Sequence, residues 1–216
     1  MKKATGIKYL ILALLAFAGL GLEVLLAFVL EPLLYGSSME SWTDLQNILH
    51  WIITSAVWGL LIWGMIRYAL KQYGFVLLKK EKAPSALQWC IVGVLVVASL
   101  VWSWLDWNGS KVIREFNANG PAKFVFQYIY YCFEVALVLL IIAFGQKSFE
   151  SLFNNRHIPY GGILAALTWG VAHFFTKGSS TGIGIMISAL AYGCVYLLVN
   201  RDIRKAYPII LLMFVL

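Results

Sequence analysis

The chain has 216 residues, of which 61% are hydrophobic and only 12% charged, against about 25% charged in a soluble globular domain. One soluble core of ordinary size cannot hide that much apolar surface, so the excess must face lipid, which excludes a water-soluble globular enzyme. The net charge of +7 is gathered in short runs between apolar stretches, the pattern of topology signals and not of a nucleic-acid-binding surface.

Crossing about 30 Å of hydrocarbon takes about 20 helical residues. Runs that meet or approach this length fall, in chain order, at 7–30, 48–70, 86–107, 124–145, 161–176 and 182–199. The first is too long for the apolar core of a signal peptide, carries Glu23 and is followed by no small-residue cleavage pattern, so it reads as a spanning helix. The fifth is short and the turn after it tight, which predicts an antiparallel hairpin with the sixth. A last run, 207–216, would reach only about 15 Å as a helix, a half-span. The expected fold is all-α: a single transmembrane domain, 1–216, with six full spans and a short seventh.

Alternate connections place Lys2, Lys3, Lys8, Arg67, Lys71, Lys79, Lys80, Lys82, Lys147, Arg156, Arg201, Arg204 and Lys205 on one side. Only Lys111, Arg114, Lys123 and Lys177 fall on the other. This bias puts the N-terminus in the cytoplasm. The first outer connection is acidic instead, with Glu31, Glu40 and Asp44, and Trp42, Trp89, Trp107 and Tyr160 sit near span ends as interfacial anchors do. Cys90, Cys132 and Cys194 lie inside apolar runs with no paired spacing and read as small packing residues.

Ionisable side chains at membrane depth are costly unless paired, and so point to function. Four qualify: Glu23, His50, Glu134 and His173. Glu134 is deepest, with Gln127, Tyr130 and Tyr131 on its helix face, where it is either a general base or metal ligand, or a protonated acid bonded inside the bundle. His173 shares its side with Gly162, Ala166, Trp169 and Gly170, small residues that let another backbone approach. Glu23 shares a face with Ala16, Gly19 and Ala27 and is suited to satisfy a histidine or tyrosine elsewhere. His50 has Thr54 and Trp58 below it. On the charge-rule topology all four lie from the middle to the outer half of the bilayer, and are expected to converge on one outward-open pocket. Glu134 and His173 differ in depth, so joining them requires a tilted or re-entrant fifth helix.

From about Tyr130 to Leu216 the chain resembles the CPBP family of membrane proteins, the CAAX proteases and bacteriocin-processing (Abi) proteins. In that family a helix carries EExxxR, a basic connection follows, and the next helix ends in FxxxH. The counterparts here are Phe133-Glu134, the connection from Gln146-Lys147-Ser148-Phe149-Glu150 to Tyr160-Gly161-Gly162, and Trp169-Gly170-Val171-Ala172-His173. The following segment Ala191-Tyr192-Gly193-Cys194-Val195-Tyr196-Leu197 is similar to the next family helix. One glutamate stands where the family has two, no arginine follows it, and 207–216 lacks the last family histidine.

The resemblance implies an intramembrane protease, or a degenerate homologue, acting on a membrane-associated peptide or protein. Glu134 and His173 would be catalytic, and Glu23, His50, Gln146, Glu150, Trp169 and Tyr131 accessory. A divalent metal such as zinc would be held by Glu134 and His173 if at all. It also implies a bacterial plasma membrane. The alternatives are a non-catalytic scaffold, immunity or regulatory protein binding a membrane or cell-envelope partner, and a small ion- or proton-coupled transporter. Against transport, Pro32, Pro84, Pro121, Pro159 and Pro208 all lie in or beside connections and break no matched pair of helices.

Overall fold

The computed structural model describes residues 2–216, with side chains described from Gly6 onward. The described residues form helices: α1 (Lys2–Leu20), α2 (Leu22–Leu25), α3 (Glu31–Tyr35), α4 (Asp44–Tyr73), α5 (Ala86–Asp106), α6 (Lys111–Phe153), α7 (Tyr160–Ala165), α8 (Val171–Lys177), α9 (Ser179–Leu198) and α10 (Ile203–Val215). A π-helical turn, Leu26–Leu30, joins α2 to α3, and a second, Ala166–Gly170, joins α7 to α8. Five helical stretches are long and apolar enough to cross a membrane: Gly6–Tyr35, Asp44–Tyr73, Ala86–Asp106, Lys111–Phe153 and Ser179–Leu198. The run expected as the fifth span, 161–176, is helical without a break from Tyr160 to Lys177, with a π-helical turn inside it, but is not among these five.

Local chemistry sets the boundaries. Thr43 with Gln46, and Ser85 with Gln88, form reciprocal capping boxes that satisfy the first free N–H groups of α4 and α5. The connection expected before Phe124 is itself helical, capped by Ser110, whose side chain accepts from Ile113 N. It is set at an angle to the rest of α6 by Gly120, whose φ of +69° is followed by Pro121. The last run also begins earlier than expected, at Ile203, because the Asp202 side chain accepts from Arg204 N.

The second half of α6 is the centre of the bundle. From Leu137 to Phe144 every side chain is at most 2% exposed, as befits a helix apolar on all sides and surrounded on all sides. Tyr9, Leu12, Ala13 and Ala16 of α1 are buried in the same core, and Ser148 Oγ donates to Gly6 O at 2.8 Å. Trp58 of α4 is fully buried and donates to Gly19 O at 2.8 Å, locking α4 to α1. α8 and α9 form the expected hairpin around Gly178.

The α6–α7–α9 contact depends on absent side chains. A Cβ on Gly161 would run into the Ile142 backbone, and one on Gly162 into Ala189 O and the Gly193 backbone, so here main chains touch main chains. Gly161→Val should therefore abolish the monodisperse folded peak in detergent. Gly64→Ala, where an added methyl meets nothing within 4 Å, should leave peak and melting temperature unchanged.

Asp202 is fully buried in the α9–α10 turn, 2.9 Å from Arg204 and 2.6 Å from Lys205. The Arg204 and then the Lys205 hydrogen bonds hold its carboxyl well below the ordinary aspartate range against the opposing effect of burial. A depressed folded value means that the stabilisation is fully present above about pH 4 and is lost as pH falls toward that value. Asp202→Asn should lower the melting temperature at pH 7, and thermal scans at decreasing pH should show the gap to wild type closing only below about pH 4.

Candidate functional site

A cavity of ≈ 500 Å³ opens between α5, α6, α8, α9 and α10, and both Glu134 and His173 line it. The carboxyl of Glu134 is buried, and Trp169 Nε1 donates to its Oε1 at 3.2 Å. His173 Nδ1 lies 2.8 Å from Trp169 O. A carbonyl only accepts, so Nδ1 carries the hydrogen and Nε2 is the ring nitrogen left for chemistry. The Trp169 and His173 rings meet edge to face at 5.1 Å. Trp169 thus ties the two groups together, its indole to Glu134 and its carbonyl to His173.

Trp169 sits in the π-helical turn Ala166–Gly170. Such turns insert a residue into a helix and re-aim side chains, often at functional sites. The indole is held by Tyr192 and Phe214, with ring centroids 6.4 Å and 6.1 Å away.

The next layer of the cavity joins Gln127 and Tyr131, expected on the Glu134 face, to Lys111 and Glu115, which the sequence placed in a connection. Glu115 is buried and accepts from Tyr131 Oη at 2.7 Å, Tyr128 Oη at 3.0 Å and Gln127 Nε2 at 3.5 Å. Lys111 Nζ donates to Phe214 O at 2.7 Å and lies 5.0 Å from the rings of both Tyr131 and Phe214, within cation–π range. Lys111, Glu115, Gln127 and Tyr131 all line the cavity, and so does Lys177. The signal that could have found Lys111 and Glu115 was local: Ser110 followed by Val112, Ile113 and Phe116 is a capped helical pattern.

The other expected site residues fall elsewhere. Gln146 and Glu150 lie about 18 Å or more beyond Glu134 along α6 at 1.5 Å per residue. They act as a clamp there. Gln146 Oε1 accepts from Gly161 N at 3.0 Å, its Nε2 donates to Glu150 at 2.7 Å and to Ile158 O at 3.0 Å, and Arg201 binds Glu150 at 2.7 Å.

Glu23 and His50 do not line the Glu134 cavity. His50, 1% exposed, lies 2.6 Å through Nδ1 from Glu31 and 3.7 Å through Nε2 from Glu23. Glu23 does meet a histidine, but Glu31, read as part of an acidic outer connection, is 1% exposed inside the fold. The π-helical turn Leu26–Leu30 keeps the first span helical past Glu31. Of the four ionisable groups expected in one pocket, Glu134 and His173 line the cavity, while Glu23 and His50 meet each other outside its lining.

Among the described residues no three His, Cys, Asp or Glu side chains come together as metal ligands. Glu134 and His173 bring two donors where a catalytic zinc takes three from the protein, so a zinc centre does not fit this donor set. Comparison of the chain with protein families, with characterised proteins and with solved structures gives no match.

The Glu31–His50 pair is a buried one, and removing one partner of such a pair strands the other. His50→Ala should cost about 3–5 kcal/mol in unfolding free energy, measured by denaturant titration in detergent. Pairing it with Glu31→Gln should recover part of that loss, because no charge is then stranded.

Proposed function

We propose that this is an integral membrane hydrolase of the CPBP kind, cutting a membrane-associated peptide or protein at the Glu134–His173 cavity. In this reading the chain sits in a bacterial plasma membrane with its N-terminus in the cytoplasm, six full spans and a short seventh. The observation that supports it is that Glu134 and His173, on different helices, line one cavity and are both bonded to Trp169.

The chemistry follows from the donors. A water held between Glu134 and His173 Nε2 gives a proton to the Glu134 carboxylate as its oxygen adds to the peptide carbonyl. Glu134 then returns that proton to the amine nitrogen as the C–N bond breaks, leaving a carboxylate and an amine. Lys111 and Lys177 line the same cavity and supply positive charge for the oxyanion that forms between these two steps. Trp169 is a positioning residue, fixing the Glu134 carboxyl from one side and the His173 ring from the other.

Glu134→Gln removes the proton acceptor without changing shape, and should lower turnover by about 10²–10⁴-fold while leaving the detergent-solubilised protein monodisperse. His173→Ala should behave similarly. The measurement is a comparison of membrane-protein termini in cells expressing wild type or each variant: new termini should appear with wild type only. Identical termini in all three strains would remove the hydrolase reading and leave a binding or scaffolding role for the same cavity.

A further inference from the structure

A second large cavity, ≈ 380 Å³, opens between the α4–α5 connection, the last turns of α6 and the α9–α10 turn. Lys79, Lys147, Arg156 and Arg201 line it together with Glu81 and Glu150. Both carboxylates are already engaged, Glu150 with Arg201 at 2.7 Å and Glu81 with Lys79 at 3.6 Å. Lys147 and Arg156 are exposed and pair with no carboxylate among the described residues. The cavity therefore holds two cations without counter-charges.

Its wall is rigidly built. Asn200 and Arg201 hold left-handed backbone conformations, with φ of 57° and 65°, ordinary for asparagine but uncommon for arginine. Here Asn200 bonds Gln88 at 3.0 Å and Lys82 O at 3.1 Å, and Arg201 bonds Glu150 and Arg156 O.

The second observation is an apolar groove whose one charged lining residue, Arg204, is engaged by Asp202. This groove of ≈ 210 Å³ between α4, α6 and α10, lined by Ile62, Ile66, Leu140 and Tyr207 among others, shares Leu77 with the basic cavity. The groove in turn shares Ile62, Ile66, Ala136 and Tyr207 with an apolar hollow of ≈ 310 Å³ beside Trp63 and Phe133. On α6 the apolar linings run from Leu140 back to Cys132, about 12 Å at 1.5 Å per residue, and Ala143 and Lys147 of the basic cavity follow on the same helix.

A cation-rich cavity that adjoins an apolar groove across Leu77 matches an amphiphile with an anionic head. A free phosphate would use the cavity and leave the groove without a role. We propose that the protein binds an anionic phospholipid here, its phosphate between Lys147 and Arg156 and one acyl chain along the α4–α6–α10 groove. Lys and Arg give the phosphate charge-assisted hydrogen bonds, and basic pockets between helices on the cytoplasmic side are where such head groups bind. The site is independent of whether Glu134 cuts a substrate.

The test uses the full chain, delipidated in neutral detergent, with native mass spectrometry reading the lipid retained. Phosphatidylglycerol should be held about tenfold more strongly than phosphatidylcholine of the same chains. Lys147→Gln with Arg156→Gln should reduce it to the phosphatidylcholine level, and Ala136→Phe, which fills the groove, should weaken both lipids. Equal retention of the two lipids by wild type, or undiminished phosphatidylglycerol in the double variant, would overturn the proposal. So would salt-matched inorganic phosphate raising the melting temperature as much as phosphatidylglycerol does, since that assigns the cavity to a free anion. If Ala136→Phe does not fold, the double variant decides alone, because its two residues are exposed and in no ion pair among the described residues.

Discussion

Trp169 reaches Glu134 because α7 crosses α6 with main chain against main chain at Gly161. Gly161 meets the Ile142 main chain and Gly145 faces Leu164, while Gly162 and Gly193 bring α9 equally close. Lipid offers no hydrophobic drive between helices, so association rests on close packing and on hydrogen bonds made at short range. Any side chain at these crossings would push the hairpin outward. The indole–carboxyl bond, the enclosure of Glu134 and the shape of the cavity would all be lost together.

Around that contact the fold separates its polar chemistry into three places. One is the Glu134 cavity with Trp169, His173, Lys111 and Glu115. The second is the Glu23–His50–Glu31 cluster, near the π-helical turn of the first span. The third is the Gln146–Glu150–Arg201 clamp beside the basic cavity. Each buried carboxylate has a partner, as the cost of leaving a charge alone in a low-dielectric interior requires. The first two clusters each lie close to a π-helical turn. A single inserted residue turns an apolar helix enough to aim one polar side chain inward, with less disruption than a proline or a break.

The spans were legible where a capping signal and an apolar run coincide. Ser85 begins α5 where the apolar run 86–107 begins, and the all-helical architecture follows from composition alone. Glu134 and His173 were legible as functional candidates because an ionisable group in an apolar run is expensive. Glu31 was not, because it stands beside Pro32 and near other acids, the ordinary signature of a connection. Only its 2.6 Å contact with His50 marks it as interior. Gln146 and Glu150 were read as accessory positions through the family resemblance and placed in the connection after the span 124–145, whereas α6 continues through them to Phe153. Helical rise carries them away from the Glu134 centre.

What the amino-acid sequence by itself determined is the solvent and the elements: too much apolar surface for water, helices of membrane-crossing length, charge concentrated at their ends, and a few ionisable groups where none is free. Those are properties of residue type and period, additive along the chain. Which ionisable groups meet was decided only by tertiary structure. Gly120 and the two π-helical turns redirect helices by amounts that no repeat of 3.6 residues records. Contacts such as Trp169 with Glu134 join residues far apart in sequence through backbone approaches set by glycines on three different helices.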